Sequence, residues 1–485
     1  MRTREMYLED LSRMNTRIFM WGKQVEEFWK NPQISAGINA MSTTFDYADN
    51  PEYEDLMTTI SPLTNEKINR FTHLYQSPED MLKRVDSLRI LCHETGHCVG
   101  RCVGIDGLHA LGVVSYDTDQ QYGTNYHQRF LDFIKYFQQR DLTSCGAVTD
   151  VKGDRNLRPH MQADPDLYLR VVEKKRNGII VRGAKANITT ASYSEEIIVV
   201  PTRGLTKEEG DWAVAFAIPT DTKGVTHIAV SKAPSVRKSF EKPLSSRFAF
   251  TDSLIVFDDV FVPTERIFLC GEWDQAARIG GLFGNYHRHS HCGCIASRVD
   301  NMMGACSMMA KYNGIREKGH VREKLMELIM VAEMVYACGF TASLKGEKTP
   351  SGIWMPNFVY SNLGKYYSGT HLGRETEIAQ DIAGGLIVTM PSDEDYENPE
   401  THDYIQKYLK GPDIYPTEER IRALRLMEDL AGSHYSAMWM TAGVIGAGSP
   451  EAQKIGIWGN YDIESKEQNA RRLAGLPPED RWVKK

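Results

Sequence analysis

The chain has 485 residues, of which 41% are hydrophobic and 25% charged, with a formal net charge of −7. This is the composition of a folded globular protein, too long for one ordinary core, so two or three domains are expected. The mild, dispersed charge holds no basic patch interleaved with aromatics, which argues against a nucleic-acid partner. Met1-Arg2-Thr3-Arg4-Glu5 starts no apolar leader and no run of about 18 apolar residues is seen, so no membrane partner and a cytoplasmic location are expected.

Residues 1–140 read as a helical domain. Apolar residues at three- and four-residue spacing over 54–76 and 81–102 predict helices, with Ser77-Pro78 as a start signal between them. A third helix is expected over 125–139, with Phe130, Phe133, Ile134 and Phe137 on one face. Residues 141–275 read as a compact β domain. Its strands are short β-branched runs near 178–181, 197–200, 212–218, 226–230 and 254–257. Helical spacing returns after Asp274, and four long segments near 295–312, 320–346, 356–378 and 416–444 predict a helix bundle over 276–485. The class is α+β. Its order, with Phe257-Asp258-Asp259-Val260-Phe261-Val262-Pro263 closing the β domain, resembles the acyl-CoA dehydrogenase architecture, in which flavin sits where the three parts meet.

Nine cysteines without an apolar leader point to metal or redox chemistry rather than a disulfide framework. Three histidines and two cysteines fall within Asn285-Tyr286-His287-Arg288-His289-Ser290-His291-Cys292-Gly293-Cys294. His287 and Cys294 are seven apart, hence on a common helical face, while His289, His291 and Cys292 are expected to point elsewhere. Cys98 and Cys102 are four apart and on a helix would share a face, roughly 6 Å apart along the axis. Two thiolates there, with an imidazole and a thiolate from the second stretch, would complete one four-ligand metal site. The same region contains His93-Glu94-Thr95-Gly96-His97, which matches the H-E-x-x-H zinc-hydrolase spacing. Gly96 weakens that helix and no third ligand follows at a familiar spacing. Cys145, Cys270, Cys306 and Cys338 stand alone and read as inert buried thiols. Thr149-Asp150-Val151-Lys152-Gly153-Asp154-Arg155 opens the β domain as either a solvated turn or a flavin- and phosphate-binding one. Thr189 and Thr190 end its companion strand. Gln380-Asp381-Ile382-Ala383-Gly384-Gly385 resembles the segment by which acyl-CoA dehydrogenase folds touch a neighbouring subunit's flavin, although a Gly-Gly after a helix is also an ordinary cap.

Together, Cys98-x-x-x-Cys102, Tyr122-Gly123-Thr124-Asn125-Tyr126-His127, the 149–155 turn, Val181-Arg182-Gly183-Ala184-Lys185-Ala186 and Tyr286-His287-Arg288 with Cys294 resemble the 4-hydroxybutyryl-CoA dehydratase/vinylacetyl-CoA delta-isomerase family, grouped with 4-hydroxyphenylacetate 3-hydroxylases. The resemblance spans residues 1–455. It implies a homotetrameric enzyme with FAD and a [4Fe-4S] cluster held by Cys98, Cys102, His287 and Cys294. It further implies flavin contacts from Thr149, Asp150, Lys152, Gly153, Asp154, Arg155, Thr189, Thr190, Gln380, Gly384 and Gly385. The implied reaction is a radical elimination on a C4-substituted acyl-CoA such as 4-hydroxybutyryl-CoA, giving vinylacetyl- or crotonyl-CoA, with His287 as cluster ligand and base.

The chain departs from that family where acid–base groups are expected. His291 replaces a tyrosine, Ile295 a lysine, Ala442 a glutamate, and Asp252 a glutamate. His291 and Asp252 are therefore the candidates for proton handling, with His289 as the alternative to His291. A different leaving group, such as an amine facing Tyr435, Trp439 and Tyr286, is the second version of the same chemistry. A flavin-dependent phenol hydroxylase without iron is the alternative from another class.

Overall fold

The computed structural model describes residues 1–236 and 238–478; the last stretch of the expected bundle, 479–485, lies outside them. The chain opens with α1 (Arg4–Arg13), capped by the Thr3 hydroxyl, followed by the short strands β1 (Ile18–Met20) and β2 (Lys23–Gln24). β1 lies parallel to a later strand of the β region, with Ile18 opposite His227, so this N-terminal piece extends a sheet. Asn31 caps α2 (Pro32–Asp49). The expected helix over 54–76 is not formed. Only α3 (Glu54–Met57) is helical, and β3 (Thr58–Ile60) then turns back on β4 (Lys67–Asn69). Pro62 and Asn65, the latter at φ 56°, make the turn that the apolar spacing concealed.

Ser77 caps α4 (Pro78–Thr95) as its Pro–Ser signal predicts. That helix does not continue to 102. Gly96 adopts φ 73° and ends it, and a short loop leads to α5 (Cys102–Tyr122) and α6 (Tyr126–Gln139). The β region packs two sheets face to face. One contains β5 (Ser144–Ala147), β8 (Glu196–Val199), β9 (Val214–Pro219) and β12 (Ile267–Cys270). The other adds β6 (Arg170–Lys175), β7 (Gly178–Thr189), β10 (Val225–Ser231) and β11 (Thr251–Pro263) to β1 and β2. Val181, Val199, Phe216, Ile255 and Phe257 fill the space between them. The register of β7 against β11 sets Thr189 opposite Asp252 at one end of the sheet.

The C-terminal part is built on α7 (Ala276–Tyr312), almost wholly buried, with α8 (Gly319–Leu344) and α9 (Phe358–Ala383) against it. α7 also packs on α4 and α5, which joins the N- and C-terminal helices into one core. α10 (Asp393–Glu397), α11 (Pro399–Tyr408), α12 (Thr417–Ala431), α13 (His434–Ile445) and α14 (Pro450–Asn460) follow. The three-part α+β layout is the one the sequence predicts. α8 alone among the described helices is long and apolar enough to cross a membrane by length and composition. One of its faces is packed against α7 and α9.

Candidate active site

The two thiol-bearing stretches meet where the α4–α5 loop lies against α7. Cys98 is on the loop and Cys102 is the first residue of α5, so they do not share a helix, yet their sulfurs are 3.9 Å apart. The loop achieves this through Gly100, at φ 81°, where an added Cβ would collide with Thr190 Cγ2. His287 and Cys294 do lie on one face of α7. Cys102 shares a hydrogen bond with Cys98 and the Gly100 N–H donates to the Cys98 sulfur, while the Cys294 thiol donates to the His291 carbonyl at 3.5 Å. The neighbouring Cys102 and Cys294 sulfurs, then the Gly100 N–H and His287, hold the Cys98 thiol well below its usual range, toward the thiolate. Burial and that same thiolate push Cys102 and Cys294 up.

Asp106, fully buried one turn after Cys102, completes the arrangement. Its Oδ2 is 2.8 Å from His287 Nδ1, and its Oδ1 accepts from Ser290 at 3.0 Å. Cys102, Asp106 and His287 bring ligand atoms within 4.8 Å of one another. With Nδ1 engaged by a carboxylate, Nε2 is the nitrogen left for a metal, the tautomer a metal-binding histidine needs. Sequence reading missed Asp106. The available signal was an acid four residues after Cys102 inside an apolar helical run.

The other imidazoles separate cleanly. His289 turns away, its Nε2 2.7 Å from Ser343 Oγ, and burial lowers its pKa to about 3. His291 does not point elsewhere as expected. Its ring centroid is 5.7 Å from that of His287, on the same face, and its buried Nδ1 has no partner. Burial, then Lys365 and His287, keep its pKa well below the ordinary value, so it is a neutral imidazole. Cys292 points to the far side of α7, against Gly339 and Gly364. The zinc-hydrolase spacing is not realised. His93 is 45% exposed and bonds Asp300, whereas His97, beyond the Gly96 break, is buried with Nδ1 on the Cys98 carbonyl. Cys145 and Cys306 are buried, while Cys270 and Cys338 are only half-buried.

The β region contributes the opposite wall. Thr190 is held at φ 68°, a strained value for a β-branched residue, and its N–H donates to the Thr251 carbonyl. Thr189 Oγ1 donates to Asp252 Oδ1 at 2.6 Å, and burial raises the Asp252 pKa. Tyr193 lies where the charges of both Asp252 and Cys98 reach it. Along the same strand, Asp150 pairs with Lys185 at 2.6 Å. This pins Thr149 and the exposed Lys152-Gly153-Asp154-Arg155 turn, whose two cations have no carboxylate partner among the described residues. His97, Phe250, Tyr435 and Trp439 pack ring to ring next to Cys98, leaving Tyr435 Oη, Trp439 Nε1 and His97 Nε2 buried without partners. Tyr286 is not among them; its hydroxyl donates to the Trp354 carbonyl. Gln380, Gly384 and Gly385 are exposed at the far end of α9, ~22 Å along the helix from Lys365.

Two family models match the chain: the 4-hydroxyphenylacetate 3-hydroxylase N terminal over residues 3–269 and its C terminal over 276–475. The chain is 40% identical to the 4-hydroxybutyryl-CoA dehydratase/vinylacetyl-CoA-Delta-isomerase of Clostridium aminobutyricum, covering 98% of this chain and 99% of that one. An oxygen-tolerant archaeal 4-hydroxybutyryl-CoA dehydratase from N. maritimus superposes with a TM-score of 0.96 at 35% identity, covering 100% and 97% of the two chains. The oxygenase component of a 4-hydroxyphenylacetate 3-monooxygenase, complexed with FAD and 4-hydroxyphenylacetate, shares the fold with a TM-score of 0.89 at 23% identity over 98% of each chain.

Proposed function

From the fact that this chain belongs to the 4-hydroxybutyryl-CoA dehydratase family and is a dehydratase-type enzyme, we propose that it eliminates water from 4-hydroxybutyryl-CoA or a closely related C4-substituted acyl-CoA, using FAD and a [4Fe-4S] cluster. The observation that carries this reading is the convergence of Cys98, Cys102, Cys294 and His287, with the second nitrogen of His287 already taken by Asp106. Three soft sulfurs and an oriented imidazole fit an iron–sulfur centre far better than an oxygen-ligated ion. Thr149, Thr189 and Thr190 with the Lys152–Arg155 turn fit a flavin whose phosphates meet the free cations. The exposed Gln380, Gly384 and Gly385 would reach the flavin of a neighbouring subunit in a homotetramer. When bound, the flavin supplies one-electron chemistry and the iron centre a Lewis-acidic corner.

The chain's own groups handle the protons. His287, if released from metal, is a base at Nε2 whose conjugate acid Asp106 stabilises through Nδ1. His291, neutral and with a free Nδ1 on the same face, is placed to accept or return a second proton. Asp252, its pKa raised, can keep a proton longer than an exposed carboxyl. Of the two leaving groups, hydroxyl is favoured. Lys365 and Arg288 are buried without a carboxylate partner among the described residues and would repel a C4 ammonium near His291.

Anaerobically purified protein tests the reading. It is expected to show broad iron–sulfur absorption over a flavin spectrum, with about four irons per chain. Cys98→Ala, Cys102→Ala and Cys294→Ala should each lose most iron and activity, and Cys292→Ala should keep both. Flavin without iron would point instead to the hydroxylase reading.

A further inference from the structure

Lys365 is 1% exposed. An ammonium that far from water costs several kcal/mol unless an anion answers it. No carboxylate does so among the described residues, and its hydrogen bond goes to the Gly443 carbonyl near the end of α13. Arg288 is in the same condition, donating to the Ala447 carbonyl and the Asn362 side-chain oxygen, whereas Arg298 is neutralised by Glu375. Burial lowers the Lys365 pKa to about 8, with Arg288 and Arg298 adding to the fall, and the sulfurs of Cys294 and Cys292 oppose it. Cys292 is a protonated thiol that donates to the Arg288 carbonyl, so it brings no charge. The thiolate group lies close by: the Gly446 turn that follows Gly443 sits on His291, whose ring is 5.7 Å from that of His287.

We propose that Lys365 is a positioning residue whose buried positive charge offsets the negative charge of the thiolate-held centre and keeps its reduction potential high. The proposal rests on the iron–sulfur reading above. Three thiolates and a neutral imidazole around four irons leave the centre net negative, and each added electron makes it more so. A fixed cation near that centre stabilises the reduced state more than the oxidised one. The Gly443 carbonyl holds the ammonium in place without cancelling it.

Lys365→Gln keeps a donor for that carbonyl and removes the charge, while Lys365→Arg keeps the charge. Iron content and the potential of the centre, read by anaerobic titration with a low-potential dye, separate the two. Lys365→Gln should load iron and shift to a more negative potential, and Lys365→Arg should stay near wild type. If Lys365→Gln cannot hold iron while Lys365→Arg can, the charge requirement stands. An unchanged potential in Lys365→Gln, an equal shift in Lys365→Arg, or iron loss in both variants would leave Lys365 a mere pin for α13 and overturn the proposal. Wild-type protein without a four-iron centre would instead remove the reading beneath it.

Discussion

His291 and His289 are two residues apart on one buried helix, yet their surroundings assign them different work. His289 has a hydroxyl partner and aromatic neighbours, so it packs. Both have an Nδ1 without a partner among the described residues, but His291 lies beside His287 and under the Gly446 turn. His291→Ala is expected to lower turnover by about 10²–10⁴-fold with iron and flavin retained, the range of a general acid–base group. His289→Ala should chiefly lower the melting temperature. Kinetics, iron analysis and thermal unfolding on both variants check the division, and iron loss as the first effect of His291→Ala would count against it. The importance of the 285–294 stretch was legible from its composition, and the face shared by His287 and Cys294 from their spacing. The role of Asp106 was not. An acid in a helical run carries no mark of burial, and its partners lie on α7, far along the chain.

The strands near 178–181, 197–200, 212–218, 226–230 and 254–257 were readable because β-branched runs between turns have few other ways to pack, although the third begins only at Val214, after a 3-10 turn that ends at Trp212. The helix ends were harder. Gly96 was visible as a weak point, but only the tertiary position of the next six residues shows the break that carries Cys98 into a loop and leaves Cys102 at a helix start. The break has a use. It lets Cys98 fold back to 3.9 Å from Cys102 while a backbone N–H serves its sulfur. Gly100→Ala is expected to cost about 1–2 kcal/mol from the left-handed backbone alone, plus the collision with Thr190. Thermal unfolding should fall by a few degrees and iron loading should fall with it. Full loading would show that the loop has slack that the packing does not suggest.

Across the whole molecule, α8 leaves Met326, Ile329, Met330, Met334, Phe340 and Leu344 exposed along its outer side. An apolar face of that extent marks an interaction surface, in keeping with the proposed tetramer. Met330→Glu is expected to lower the assembly mass measured by light scattering while the secondary structure stays intact; an unchanged mass would place the subunit contact elsewhere. The union of the α4–α5 loop with α7 also bears on how the protein is made. The first two sulfur donors leave the ribosome well before His287 and Cys294 exist, since more than a third of the chain lies between them. The complete donor set exists only once Cys294 has been made, so a four-ligand centre cannot be filled before the first 294 residues are out. Once inserted, the centre cross-links two distant segments. Closing a loop of ~185 residues in the unfolded chain is worth on the order of 5 kcal/mol of entropy, so the proposed iron centre would also be a late-acting staple against unravelling.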